Sequence, residues 1–231
     1  MDDHALMEIR ADILFRYDAR GRMASTNEPD SRPAPRLWVG RTTGGHVMRF
    51  GEAMPDDLAR ELAALVEREP VGDSMVVPPA LRAALGAALA RHAPIREEGS
   101  GPAYRFPASI ARPGDAVEVT DATLAVVRDT HPWLYRDLVA WGPCFAVLRD
   151  GVAASICISS RIGARACEAG LFTLPEYRGR GYAVAATAAW GAAVRAAGRV
   201  PLYSTSWENV GSQAVAWRLG LRMFGADAHW T

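Results

Sequence analysis

The ten residues Leu174-Pro175-Glu176-Tyr177-Arg178-Gly179-Arg180-Gly181-Tyr182-Ala183 constrain this chain more than any other stretch, because a β-forming segment ends there and a helix-forming one begins. A glycine-rich turn entering a helix presents backbone N–H groups that the helix leaves without acceptors, and the dipole at that end favours negative charge. The local spacing, Arg followed by Gly and then by Gly or Ala, is not selective by itself. It recurs at Arg96, Gly99 and Gly101, in Arg96-Glu97-Glu98-Gly99-Ser100-Gly101. There Pro102 follows at once and Ala103 to Phe106 read as extended, so no helix start is available to receive an anion. We read Arg96 to Pro102 as a loop or linker.

Composition excludes more than it identifies. With 231 residues, 49% hydrophobic and 23% charged, the chain has the makeup of a soluble globular protein of one large domain or two small ones. The net charge is zero, which gives no broad attraction to nucleic acid or anionic membrane and leaves only a local basic pair, Arg178 with Arg180. No lysine is present. That removes phosphate loops of the Walker type and Schiff-base chemistry with pyridoxal phosphate, both of which require one. Genomic base composition accounts for the absence, given the accompanying excess of alanine. The three cysteines, Cys144, Cys157 and Cys167, lack metal-ligand spacing and read as buried reduced thiols. No metal is expected. The acidic start, Met1-Asp2-Asp3-His4, is unlike a secretory signal, and no apolar run approaches the roughly 20 residues of a membrane span, so a cytoplasmic location is expected.

Turn chemistry and periodicity order the rest. Leu37 to Arg41 and His46 to Phe50 read as a hairpin across Thr42-Thr43-Gly44-Gly45. Pro55-Asp56-Asp57 opens a helix through Glu67 with Leu58, Leu62 and Leu65 on its apolar face, and a second helix spans Pro79 to Arg91. From Ala116 the pattern becomes regular: a strand to Val119, a helix capped by Thr120 or Asp121 and running to Arg128, and another from Pro132 to Ala140. Strands at Phe145 to Arg149 and Val152 to Ser159 meet at Asp150-Gly151, and Arg165 to Thr173 forms the next strand after a turn at Gly163. An alanine-rich helix follows the glycine turn and stops at Gly198; then come a strand at Leu202 to Thr205, a helix from Asn209 or Ser212 to Leu219, and a strand at Leu221 to Phe224.

This order of elements, from Ala116 to Phe224, resembles the GNAT superfamily of acyl-CoA-dependent N-acyltransferases. The resemblance implies an α/β (α+β) domain at residues 113–231 with a mixed, mostly antiparallel central sheet flanked by helices; residues 1–112 read as an N-terminal α+β region of unassigned role. It also implies that Arg178, Gly179, Arg180, Gly181, Tyr182 and Ala183 bind the pyrophosphate of coenzyme A, and that Asn209 and Ser212 form a second cofactor-contacting segment. Backbone groups of Leu171, Phe172 and Thr173 would pair with the pantetheine arm as a neighbouring strand does. Acetyl-CoA is then the co-substrate, and the acceptor is a small-molecule or peptide primary amine attacking in a ternary complex.

Acyl transfer to an amine requires a base for the ammonium and helps the thiolate with an acid. Glu168, the only acid between Asp150 and Glu176, is the candidate base, its alternative being an exposed strand residue or an arginine ion pair. Many members of the family carry a Tyr seven residues after the Asn, where this chain has Ala216. Ser212, Tyr203, Tyr182 or water remain as the acid, with helix initiation as the competing role of Ser212. Trp207, Glu208 and His131 are candidates to line an acceptor pocket or are ordinary packing and surface residues. The missing Tyr favours an alternative function, a non-catalytic acyl-CoA-binding or sensing module. The N-terminal region is open to three roles: covering the acceptor pocket, forming a homodimer surface, or a degenerate companion domain.

Overall fold

A computed structural model describes residues 1–110 and 115–231. The boundary expected between residues 112 and 113 lies outside the described residues. In chain order the elements are α1 (Asp3–Leu14), β1 (Phe15–Tyr17), β2 (Met23–Thr26), β3 (Leu37–Thr42), β4 (Gly45–Phe50), α2 (Asp56–Glu67), α3 (Pro79–His92), β5 (Glu98–Arg105), β6 (Ala116–Glu118), α4 (Pro132–Arg136), α5 (Leu138–Trp141), β7 (Phe145–Arg149), β8 (Val152–Ile162), β9 (Ala166–Thr173), α6 (Tyr182–Ala196), β10 (Val200–Ser204), α7 (Val210–Arg218) and β11 (Arg222–Trp230). Short 3₁₀ turns lie at Leu124–Val127 and Pro175–Tyr177. Two compact units result: Met1–Ala103 with Thr205–Asn209 and Met223–Thr231, and Tyr104–Ser204 with Val210–Arg222.

In the first unit the strands run in the order β4-β3-β11-β5. Alternation along β3 and β11 divides the side chains between two faces. Leu37, Val39, Ala228 and Trp230 pack with Leu58, Leu62, Leu85 and Leu89 of α2 and α3. The opposite set turns to α1. A Cβ at Gly40 would lie 2.7 Å from the Met7 side chain, and Arg10 Nη1 donates to Asp227 Oδ2 at 2.6 Å, both residues being buried. Asp2 caps α1, its carboxylate accepting from the Ala5 N–H at 2.7 Å.

The second unit holds the order β10-β9-β8-β7-β6, with β10 parallel to β9 and the other pairs antiparallel. One sheet face, with Phe145, Val147, Cys157 and Cys167, packs on Ala185, Ala186, Ala189 and Trp190 of α6 and on Val215 and Ala216 of α7. The other, with Ala146, Ile156 and Ile158, packs on Val127 and Leu134 and on the rings of Trp133 and Trp141. Alanines let α6 approach closely: at Gly191 a Cβ would sit 2.5 Å from the Phe106 ring.

The mixed, mostly antiparallel architecture is as expected, and several local expectations are corrected. Arg96 to Pro102 is no loop, since Glu98–Arg105 is strand β5. Its glycines serve close approach: a Cβ at Gly99 would clash with the His229 ring at 2.4 Å, and one at Gly101 would lie 1.8 Å from the Thr205 carbonyl oxygen. The helix expected from Thr120 shrinks to one 3₁₀ turn at Leu124–Val127, because Thr123 Oγ1 accepts from the Thr120 N–H at 2.9 Å and ties the chain into a local turn. The helix from Pro132 breaks at Asp137, whose φ of −149° and ψ of 65° are non-helical and whose carboxylate caps α5. The last strand runs on to Trp230 because its later residues pair with β3. Among the described residues no helix is long and apolar enough to cross a membrane.

Candidate functional site

Strands β9 and β10 pair over only three residues, ending at Leu202↔Glu168. Beyond that point β9 continues to Thr173 along β8, through Ser159↔Ala169 to Ser155↔Thr173, and β10 ends at Ser204. Among the described residues no further β9–β10 pair forms, so the edge of β9 turned from β8 is left open from Ala169 onward. Leu171 and Thr173 are half-buried there and turn their backbone groups to that edge, but the backbone groups of Phe172, expected to do the same, face Ile156 of β8, and the residue is 45% exposed.

Glu168 stands at the root of this splay and is buried, with 1% exposure. A bulge in β8 decides its surroundings. Ser159 pairs with Ala169 and Arg161 with Glu168, so Ser160 is the extra residue; without it, Arg161 would share a face with Ser159 rather than with Glu168. Arg161 Nη1 donates to Glu168 Oε2 at 2.7 Å, and Ser204 Oγ donates to Oε1 at 2.7 Å. Ser159, on the other face, accepts from Trp190 Nε1 at 3.1 Å.

Past Thr173, Pro175–Tyr177 forms a 3₁₀ turn and the chain enters α6 through two left-handed glycines, Gly179 at φ 77° and Gly181 at φ 83°. Only glycine adopts that conformation without strain. A Cβ at either would meet no atom within 4 Å, so the space over the loop is open. Gly181 is the N-cap, which puts the N–H groups of Tyr182, Ala183 and Val184 in the first turn of a 15-residue helix, where the helix supplies no acceptors. The positive side chains are arranged around the same loop. Arg178 Nε donates to the Thr173 carbonyl at 3.4 Å, Arg180 lies 5.6 Å from the centre of the Tyr177 ring, and Arg149 lies 4.6 Å from that of Tyr182. Open N–H groups, a helix dipole and cationic side chains suit a pyrophosphate.

On α7, Ser212 is half-buried and its Oγ lies 2.6 Å from the Tyr203 hydroxyl. Tyr203 is 2% exposed, and burial pushes its phenol up to about 12, so the proton stays on oxygen at neutral pH. Ala216 lies in the core beside α6, directed away from solvent. Asn209 is exposed and belongs with Thr205–Asn209 to the first unit, as do half-buried Trp207 and exposed Glu208.

His131 is buried among rings, 6.3 Å from Phe172 and 6.1 Å from Trp133, with Trp133 5.2 Å from Phe172. Burial pushes its pKa below 6.5, which keeps the imidazole neutral. Burial raises the thiols in the other direction, Cys144 to about 12 and Cys157 and Cys167 likewise upward, so none is poised as a nucleophile. Among the described residues no group of three or more His, Cys, Asp or Glu side chains is placed to hold a metal ion.

The second unit therefore brings Glu168, Leu171, Phe172 and Thr173, the loop Arg178 to Ala183, and Ser212 onto one framework. Sequence reasoning missed Arg161 and Ser204. A signal for the first existed, since Arg161 and Glu168 flank the turn at Gly163; the second carries no motif.

No family model matches the chain, and no curated protein does. Solved structures do. A protein from Novosphingobium aromaticivorans, described as a member of the GNAT family of acetyltransferases, superposes with a TM-score of 0.51 at 18% identity, covering 88% of this chain and 89% of its own. The chain has the GNAT fold. A GCN5-related N-acetyltransferase-like protein from Streptococcus suis (TM-score 0.49, 16% identity, 86% and 85% covered) and a GCN5-related N-acetyltransferase from Kribbella flavida (0.46, 18%, 86% and 87%) are also similar. With 88% of the chain covered, the GNAT likeness is not confined to the C-terminal half in which the sequence pattern was read.

Proposed function

We propose that this GNAT-fold protein is an acyl-CoA-dependent N-acyltransferase that moves an acetyl group from acetyl-CoA to a primary amine by direct attack in a ternary complex. The observation that carries the reading is the conjunction of the β9–β10 splay with the open glycine loop at the start of α6. The free edge of β9 offers backbone groups of Leu171 and Thr173 to the amides of a pantetheine arm, whereas those of Phe172 face β8, where Phe172 pairs with Ile156. Gly179 to Ala183 offer N–H groups to its pyrophosphate, with Arg178 and Arg180 adding positive charge. A backbone N–H in the same β9 segment would stabilise negative charge on the thioester oxygen, a contribution of roughly 3 to 4 kcal/mol where such donors have been removed.

Glu168 is the sink for the ammonium proton in this reading. Its carboxylate is held in place by Arg161. The departing thiolate is served by Ser212, whose hydroxyl is backed by the protonated Tyr203 phenol. Asn209 is assigned to the cofactor by the motif alone. The experiment is calorimetric titration with acetyl-CoA against ADP, followed by thiol release with a panel of amines. A strong preference for acetyl-CoA and amine-dependent thiol release support the reading. Tight binding without release across the panel would favour a non-catalytic acyl-CoA-binding module, for which the burial of Ala216 at the usual Tyr position is the specific support.

A further inference from the structure

We propose that Ser204 relays the proton from the acceptor amine to Glu168, an inference that rests on the acyltransferase reading above. Glu168 is 1% exposed, which leaves its carboxylate out of direct reach of an amine lying in the splay. Ser204 is half-buried and is the last residue of β10, beyond the final pair Leu202↔Glu168. Its hydroxyl sits 2.7 Å from Glu168 Oε1. A serine hydroxyl has one proton and two lone pairs; with the proton directed at Oε1, the lone pairs accept from an incoming ammonium.

Arg161 Nη1 of β8 donates to Oε2 at 2.7 Å, and the Ser204 hydroxyl of β10 donates to Oε1 at 2.7 Å. The oxygen that receives the proton is therefore Oε1, on the serine side. In the step itself, an N–H bond of the ammonium breaks and its proton passes to Ser204 Oγ. The proton already on Oγ passes to Glu168 Oε1. The serine hydroxyl is restored, Glu168 ends neutral, and the freed nitrogen lone pair attacks the thioester carbon. No further reactant is needed.

The test is the pH–rate profile of thiol release by the wild-type protein, Ser204→Ala and Ser204→Thr, using an amine from the panel that the wild type acetylates, with acetyl-CoA titrated into each. Ser204→Ala should lose tenfold or more in kcat at pH 7 with unchanged acetyl-CoA affinity. The deficit should shrink as pH approaches the amine's own pKa, where the free base needs no relay. Ser204→Thr, which keeps the hydroxyl, should retain most of the rate. A wild-type profile in Ser204→Ala overturns the relay and leaves the acyltransferase reading standing. So does a deficit equal at every pH, which marks a structural role. A wild-type protein that binds acetyl-CoA but releases no thiol with any amine refutes the parent reading and the relay with it. Should Ser204→Ala fail to fold, the solvent-isotope proton inventory of wild-type kcat/KM decides: curvature from two protons in flight supports the relay, and a straight line overturns it.

Discussion

Replacing Gly181 by Ala separates backbone strain from packing and tests the loop on which the cofactor assignment depends. Gly181 has φ 83° and ψ 0° as the N-cap of α6, and a Cβ built on it meets no atom within 4 Å. Nothing has to move to admit a methyl group, so the whole stability cost is the left-handed conformation, about 1–2 kcal/mol for an L-residue. At a urea slope of about 2 kcal/mol/M the unfolding midpoint should fall by about 0.5–1 M. Gly181→Asn should lose less, because Asn visits the left-handed region more readily. In titration calorimetry Gly181→Ala should weaken acetyl-CoA binding by intruding on the open space above the loop, and Gly181→Glu, which adds bulk and negative charge, should abolish it. An Ala variant with the wild-type midpoint would refute the strain argument. A folded Gly181→Glu protein with undiminished affinity would remove this loop from the cofactor site.

Glu168→Gln should lower turnover at pH 7 with acetyl-CoA affinity nearly unchanged, and should also destabilise the fold by up to about 3 kcal/mol in urea denaturation, because it removes one partner of a buried pair while Arg161 keeps 22% exposure. His46 and His131 both have pKa values pushed below 6.5, His46 by burial and the Arg41 charge and His131 by burial. Their contribution to stability is complete above about pH 6.5 and is lost as pH falls through the depressed folded values, because the unfolded chain then binds more protons. Denaturation at pH 7.5 and 5.5 should show a loss at the lower pH that is smaller in His46→Gln. Gly191→Ala should cost about 1–3 kcal/mol by overpacking, since its Cβ would lie 2.5 Å from the Phe106 ring; Phe106→Leu in the same chain should recover part of that midpoint shift.

Elements set by local chemistry were legible in the sequence. Asp150-Gly151 turns the β7–β8 hairpin with φ of 53° and 79°, and Gly198 at φ 76° ends α6, as the residue types suggest. The glycines of β5 suggest a loop from Arg96 to Pro102, yet Glu98–Arg105 is a strand. Gly99 and Gly101 are there because His229 and the Thr205 carbonyl crowd the strand, and both crowding residues lie more than a hundred positions away in the chain. Helix α1 has a local start signal in Asp2, whose carboxylate accepts from the Ala5 N–H.

The same division between local and distant causes separates the two halves of the site. Cofactor recognition of this kind uses backbone: an open strand edge, two positive-φ glycines and a helix start. The two glycines and the helix start are specified within the stretch from Arg178 to Ala183, which is why a short motif could mark them, whereas the open edge of β9 also needs its pairing with β10 to end at Glu168. Proton chemistry uses side chains that meet across strands, and its geometry depends on register. Glu168 could be singled out as the only acid in its region, yet nothing near it in sequence says that it is buried. The bulge at Ser160 gives it Arg161, and the end of the β9–β10 pairing gives it Ser204. The register of three strands, rather than any motif, is what brings the Ser204 hydroxyl and the Arg161 guanidinium to Glu168.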